Sequence, residues 1–289
     1  MEHTIENGVL RVRIDSLGAQ LMSIQKEGTE YLWQGNPQYW ERRAPLLFPF
    51  VGRLPEDRYI YKGKSYPMTI HGFLSHRAFS VMDREENSIR YVYEPTEETQ
   101  KIYPFLFRFF MRYSIWKNML YVDIKIENTG KKHMHFAFGG HPGFCVPLEK
   151  HLDFEDYFLQ FPQASLMQRV VFDHEHFFTE KRNLLVLENG RLNLRHNLFD
   201  DDAIVLECSG GKVELHTDKG ERGISIEYPG TPYLGLWRRP HTDAPYVCIE
   251  PWSALPGRAG EIVEPEQRPD FCHLGAGEVY RNRWSLSFW

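Results

Sequence analysis

Four short segments set an ionisable side chain among glycine, proline and aromatic residues, an arrangement that exposes a side chain at the end of a strand. In Phe48-Pro49-Phe50-Val51-Gly52-Arg53 an apolar run closes on a glycine and a cation. The planar fork of Arg53 suits hydroxyls or carboxylates, and the alternative is a surface arginine that caps a loop. In Ile70-His71-Gly72-Phe73 a histidine precedes a residue that allows close backbone approach, and a satisfied core histidine reads equally well. Phe138-Gly139-Gly140-His141-Pro142-Gly143-Phe144 puts His141 in a bend that few structural needs require. An imidazole with its ordinary pKa near neutrality donates a proton at physiological pH. In Val247-Cys248-Ile249-Glu250-Pro251-Trp252, alternation sends Val247 and Ile249 to one face and Cys248 with Glu250 to the other, and Pro251 is expected to end the strand. Glu250 then stands beside Trp252, where partial desolvation raises a carboxyl toward the range useful to a general base; an ordinary exposed glutamate is the alternative.

Other chemistries find less support. Phosphate-loop, dinucleotide-binding, nucleophile-elbow and zincin motifs do not occur. His133 and His135 share a strand face with His141 following, and His174 and His176 repeat that spacing, which resembles a cupin metal site. Such a site also wants a carboxylate a few residues after the second histidine, and residues 136–144 contain none, so no metal is expected. The run Trp237-Arg238-Arg239-Pro240-His241 offers a ring and cations to an anionic group such as a sugar phosphate, or is simply a solvated loop.

These segments need elements to hold them, and the elements read as strands. Leu120, Val122, Ile124 and Ile126 alternate with polar residues in a half-buried strand pattern, and shorter runs recur from Val9 to Tyr246. Lys62-Gly63-Lys64, Glu86-Asn87-Ser88, Lys117-Asn118, Asn128-Thr129-Gly130 and Asn189-Gly190 sit where hairpin turns are needed. Helix signal is thin: residues 97–103 before Pro104, and a turn or so at residues 36–40. The expectation is an all-β chain, a meander of many short antiparallel strands, in one domain over residues 1–289 because no linker composition interrupts it.

Composition bounds the partners. With 42% hydrophobic residues the chain can bury a sizeable core, and a net charge of −5 without like-charge blocks argues against nucleic acid or an anionic membrane. The absence of an apolar run of membrane length and of a signal-peptide pattern points to a cytoplasmic protein. Cys145, Cys208, Cys248 and Cys272 form no close pair and read as reduced, mostly buried thiols. Aromatics reach 15%, an excess that suits strands and flat faces for sugars or bases.

Taken in order on an all-β chain, these segments resemble the aldose 1-epimerase (galactose mutarotase) family, in the form of its LacX-like branch. The resemblance also rests on Leu17-Gly18-Ala19, Tyr31-Leu32-Trp33, Leu198-Phe199-Asp200-Asp201-Asp202-Ala203 and Leu234-Gly235-Leu236-Trp237. It implies a β-supersandwich that binds a pyranose and interconverts its α and β anomers without metal or cofactor. By residue matching it implies Glu250 as the base on the anomeric hydroxyl and His141 as the acid on the ring oxygen. It likewise implies Arg53, His71 and one aspartate, with Asp200 favoured among Asp200, Asp201 and Asp202, as sugar ligands, and Trp237 as an apolar face. Gly52 before Arg53, Gly72-Phe73 after His71 and Ser75-His76 beyond it depart from the galactose form, so the sugar is a hexose or a hexose phosphate held by Arg53, Arg238 or Arg239. A sugar-binding protein without turnover is the reading from another class, and a monomer or homodimer is expected.

Overall fold

The computed structural model describes residues 1–162, 164–207 and 211–289; the Cys208 expectation lies outside the described residues. Alternating apolar positions become strands almost throughout: Met119–Asn128 buries every second residue, and its register with Phe107–Trp116 is antiparallel from Phe107–Asn128 to Trp116–Met119. The all-β expectation holds, for the described residues contain a single short α-helix, Glu97–Ile102. That helix begins where Thr96 and Thr99 cap each other's backbone reciprocally, and Pro104 lies just beyond it.

Two large sheets dominate. The nine-stranded one runs in the order Arg191–Asn193, Phe158–Gln160, Lys212–His216, Ile224–Glu227, Val279–Phe288, Met119–Asn128, Phe107–Trp116, Ser88–Tyr93 and Ser80–Arg84. The eight-stranded one runs Phe178–Val186, Leu166–Phe172, Ile204–Glu207, Tyr233–Trp237, Tyr246–Trp252, Gly139–Gly140 and Leu46–Leu47, with Gly143–Cys145 also paired to Tyr246–Trp252. Side chains of both sheets share one apolar core, among them Val122 and Ile124 from the first and Leu234, Leu236 and Ile249 from the second. This is the sandwich architecture of a β-supersandwich, with a four-stranded sheet over residues 2–30 beside it.

Three expectations change. The path is not a simple meander, because Val279–Phe288 inserts between Met119–Asn128 and Ile224–Glu227 in mid-sheet. Two of the five turn signals leave their sheet. Asn128 donates to the carbonyls of Lys132, Leu274 and Gly275 and carries the chain to Met134–Phe136, which pairs with Cys272–Leu274. Asn189-Gly190 reverses the chain with positive φ at both residues, but the strands on either side belong to different sheets.

Pro251 does not end its strand: Tyr246–Trp252 is buried along its whole length and pairs on to Pro251–Leu234 and Trp252–Tyr233. The Ile249 N–H donates to Pro142 at 3.2 Å. The register of Gly139 with Trp252 and Gly143 with Cys248 puts Pro251 opposite Gly140, at the edge of the break between Gly139–Gly140 and Gly143–Cys145, so the N–H that proline lacks is missing where the ladder is already interrupted. The same break carries His141, so the proline and the histidine mark one interruption in the sheet.

Candidate active site

Glu250 lies in the middle of the eight-stranded sheet, 1% exposed, and its Oε1 is 3.3 Å from Nε2 of His141. Its other oxygen accepts from the indole N–H of Trp252 at 3.3 Å. Burial raises the carboxyl well above the usual carboxylate range, the Trp252 hydrogen bond opposes that, and the charge of Asp202 adds to it. Burial likewise pushes the imidazole of His141 well below its ordinary value, and His71 and Arg42 act in the same direction. His141 is thus not the near-neutral titrating group that its type alone suggests. Both shifts favour the uncharged forms of two groups that lie 3.3 Å apart. Nδ1 of His141 is buried without a hydrogen-bond partner, an atom left for a ligand to satisfy.

The bend that carries His141 is fixed from outside. Its N–H donates to Pro45 at 3.1 Å and the N–H of Gly143 to Arg43 at 2.8 Å, which aligns residues 40–45 alongside it. Trp40 thereby stacks on the imidazole, ring centres 4.8 Å apart, and Trp237 meets it edge-on at 5.7 Å. Trp33, Trp40, Trp237, Tyr39, Tyr246 and Cys248 form an aromatic cluster apart from the main core, and part of the aromatic excess lies here. Sequence reasoning missed Trp33, Tyr39 and Trp40 as site residues. Their signal was three large rings within eight residues of a segment without strand alternation.

His71 enters from a tight turn. Gly72 has φ of +77°, and a Cβ there would lie 2.0 Å from the Phe48 carbonyl, so only glycine allows the approach that pairs this turn with Phe48. The N–H of Gly52 donates to Nδ1 of His71 at 3.1 Å, and the His71 N–H returns to the Gly52 carbonyl at 2.9 Å. In the neutral ring the proton is then on Nε2, which is free to donate. Burial, with the charges of Arg42 and Arg53, lowers the His71 pKa to about 3. His71 and His141 meet edge-to-face at 5.5 Å. Arg53 is exposed beside this turn, and among the described residues its guanidinium has no hydrogen-bond or ion-pair partner.

The three aspartates separate. Asp202 accepts from the indole of Trp237 at 3.0 Å, lies 3.0 Å from Nδ1 of His176, and its charge acts on Glu250. Asp200, the favoured candidate, instead caps the backbone N–H of His241 at 3.0 Å, while Asp201 is exposed. Asp202 is therefore the aspartate that the fold brings to the site.

Arg238 is not an anion ligand. It is fully buried, donates to the carbonyls of His196 and Thr242 and covers the Phe154 ring at 4.5 Å. Arg239 is exposed, with its N–H on the Tyr246 hydroxyl. The cupin-like set disperses as well: His133 is exposed and His135 pairs with His273 at 2.6 Å, away from His141. A different set, His141, Cys248 and Glu250, brings its ligand atoms within 4.8 Å of one another. To hold a metal, two fully buried groups whose pKa values burial has raised would have to ionise. Of the described cysteines only Cys248 is buried; Cys145 and Cys272 are half-buried. A cavity of 780 Å³ elsewhere, lined by Arg182, Arg258 and Arg268, has each arginine in an ion pair and holds none of these residues.

Comparison with known proteins bears on the family and the fold. The sequence family described as aldose 1-epimerase matches residues 1–287. Protein LacX of Lactococcus lactis subsp. lactis is 32% identical over 261 residues, 87% of each chain. A galactose mutarotase related enzyme from Lactobacillus acidophilus is 34% identical with a TM-score of 0.95, covering 100% of this chain and 97% of its own. A galactose mutarotase-like protein from Lactobacillus casei ATCC 334 is 30% identical with a TM-score of 0.93 over all of both chains. No helix among the described residues is long and apolar enough to cross a membrane.

Proposed function

Because the chain belongs to the aldose 1-epimerase family, an isomerase family acting on sugars, we propose that it interconverts the anomers of a hexose with Glu250 and His141 as the proton-transferring pair. The observation that carries this is the 3.3 Å contact between two buried groups whose pKa values burial drives in opposite directions. Transfer of the shared proton across that contact leaves Glu250 ionised and His141 protonated, with Nδ1 as its open donor. Glu250 takes the proton of the anomeric hydroxyl while His141 protonates the ring oxygen, and the C1–ring oxygen bond breaks to give the open aldehyde. After rotation about C1–C2, attack on the other face returns both protons. Nothing is consumed, so the cycle calls for no cofactor. His71 through Nε2–H, Arg53 and Asp202 supply hydrogen bonds to the sugar, and Trp237 with Trp40 an apolar surface for its C–H groups.

Polarimetry of freshly dissolved α-glucose and α-galactose tests the assignment. Wild type accelerates the decay, and Glu250→Gln and His141→Asn each lose about 100-fold or more. Full activity in either variant would remove that residue from proton transfer. Saturable sugar binding without turnover by wild type would replace the enzyme with a binding protein.

A further inference from the structure

Two histidines outside the candidate active site face each other across a strand pair. Met134–Phe136 and Cys272–Leu274 run antiparallel with His135 directly opposite His273, so both side chains leave the same face. Their Nδ1 atoms lie 2.6 Å apart, with the rings crossed at 69°. The second nitrogen of His273, Nε2, is 2.9 Å from the carbonyl of Arg268. A carbonyl only accepts, so Nε2 carries the proton and Nδ1 of neutral His273 presents a lone pair to His135. Two lone pairs repel at that distance, so a proton lies between the rings, donated by Nδ1 of His135.

That proton stands where a metal ion can bind. An imidazole whose far N–H is fixed on a backbone carbonyl is oriented as metal-ligating histidines are. Two nitrogens at about 2.0–2.1 Å from one tetrahedral ion stand about 3.3 Å apart, and His273, which is exposed, has room to move outward by the difference of about 0.7 Å. His135 is buried, with the rings of Tyr61 and Phe105 centred 6.0 and 6.2 Å away, so the site has an apolar inner wall and a solvent-facing outer ligand. Burial and the neighbouring His273 lower the His135 pKa, which keeps the ring neutral as a ligand must be. Lys62 and His133 act on His135 in the same direction, and Glu266, on the turn Pro265–Gln267, supplies the opposing negative charge. Among the described residues no third histidine, cysteine or carboxylate atom converges with the two nitrogens, so the remaining coordination positions fall to water.

We propose that His135 and His273 form a two-nitrogen site for a divalent transition-metal ion of the kind imidazole favours, zinc, copper or nickel, with Glu266 balancing its charge. The site is separate from His141, Cys248 and Glu250 and takes no part in proton transfer. Its effect is mechanical. Met134–Phe136 leads directly into the bend that carries His141, so an ion that joins it to Cys272–Leu274 fastens the root of that bend.

Calorimetric titration of untagged protein with zinc(II), and electron paramagnetic resonance of its copper(II) complex, test the site. Zinc is expected to bind saturably at one equivalent, and copper to couple to two nitrogens. His273→Gln, at an exposed position, should weaken zinc binding about tenfold or more, and His135→Gln should do the same. Zinc should also raise the Tm of wild type and leave that of His273→Gln unchanged. Zinc binding that survives His273→Gln at full strength overturns the site, as does the absence of saturable binding at millimolar zinc. Binding that Cys248→Ser abolishes and His273→Gln leaves intact overturns it too and assigns the ion to His141, Cys248 and Glu250.

Discussion

Replacing Trp252 with Phe separates a shared-proton pair from a lone general base. The indole N–H reaches Oε2 of Glu250 at 3.3 Å, the long end of hydrogen-bond geometry, and stabilises only the ionised carboxylate. Such a bond to a charged group at that length contributes about 1 kcal/mol, which is about 0.7 of a pKa unit. Removing it raises the Glu250 pKa further. Because burial favours carboxylic acid and neutral imidazole, the proposed pair holds one proton, and the alkaline limb of the pH–rate profile should report its loss. That limb should therefore move up by about 0.7 pH unit. The reactive arrangement, ionised Glu250 beside protonated His141, becomes about fivefold rarer, and the plateau rate falls by that factor. The assay is kcat/KM against pH by polarimetry on the aldose that wild type equilibrates fastest, corrected for spontaneous mutarotation. Circular dichroism confirms that the variant, which loses volume at a buried position, is folded. A plateau that falls while the alkaline limb stays fixed would reduce Trp252 to a packing role, and a limb that moves down would refute the shared-proton pair.

Two further predictions follow from the same electrostatics. His71 titrates near 3 when folded and near 6.5 when unfolded, so the unfolded chain binds the extra proton and stability falls as pH drops through that window. Between pH 7.5 and 5.5 this one residue removes about 1.4 kcal/mol; urea unfolding should show the wild-type advantage over His71→Asn shrink by that amount, and a constant difference would mean that His71 is charged in the fold. Asp202→Asn keeps an acceptor for Trp237 but deletes a charge that raises Glu250, so the alkaline limb should move down and KM rise about tenfold, whereas Asp200→Asn should leave both in place. A larger KM effect from Asp200→Asn would return the sugar contact to Asp200.

The elements that position the site were legible where one period governs a segment. The alternation of Leu120, Val122, Ile124 and Ile126 survives in Met119–Asn128, because one face of that strand meets the core and the other does not. Tyr246–Trp252 defeats the same logic. It is buried on both faces, so alternation separates no inside from outside, and the proline that should have stopped it falls at the edge of a gap created by a bend far earlier in the chain. Turn residues report that the chain reverses and not which strand it meets next, so Asn128 and Asn189-Gly190 were read as turns correctly and as hairpins wrongly.

Glu250, His141, His71 and Arg53 stood out in the sequence because glycine and proline beside a polar residue disclose a bent backbone, a property written into neighbouring letters. Trp40, Arg42 and Asp202 carry no such local mark. Asp202 differs from Asp200 only in which way a turn of positive φ aims its carboxylate. Arg42 differs from Arg43 only in alternation along an irregular loop: the side chain of Arg43 turns to the carbonyl of Met22, that of Arg42 to Ser75 and His76. The distinction matters because acid–base groups act on any pyranose, whereas the charges around them decide which pyranose arrives. The residues proposed for proton transfer stand out in local sequence, whereas the charges that act on them, Arg42 and Arg53 on His71 and Asp202 on Glu250, are brought near only by folding.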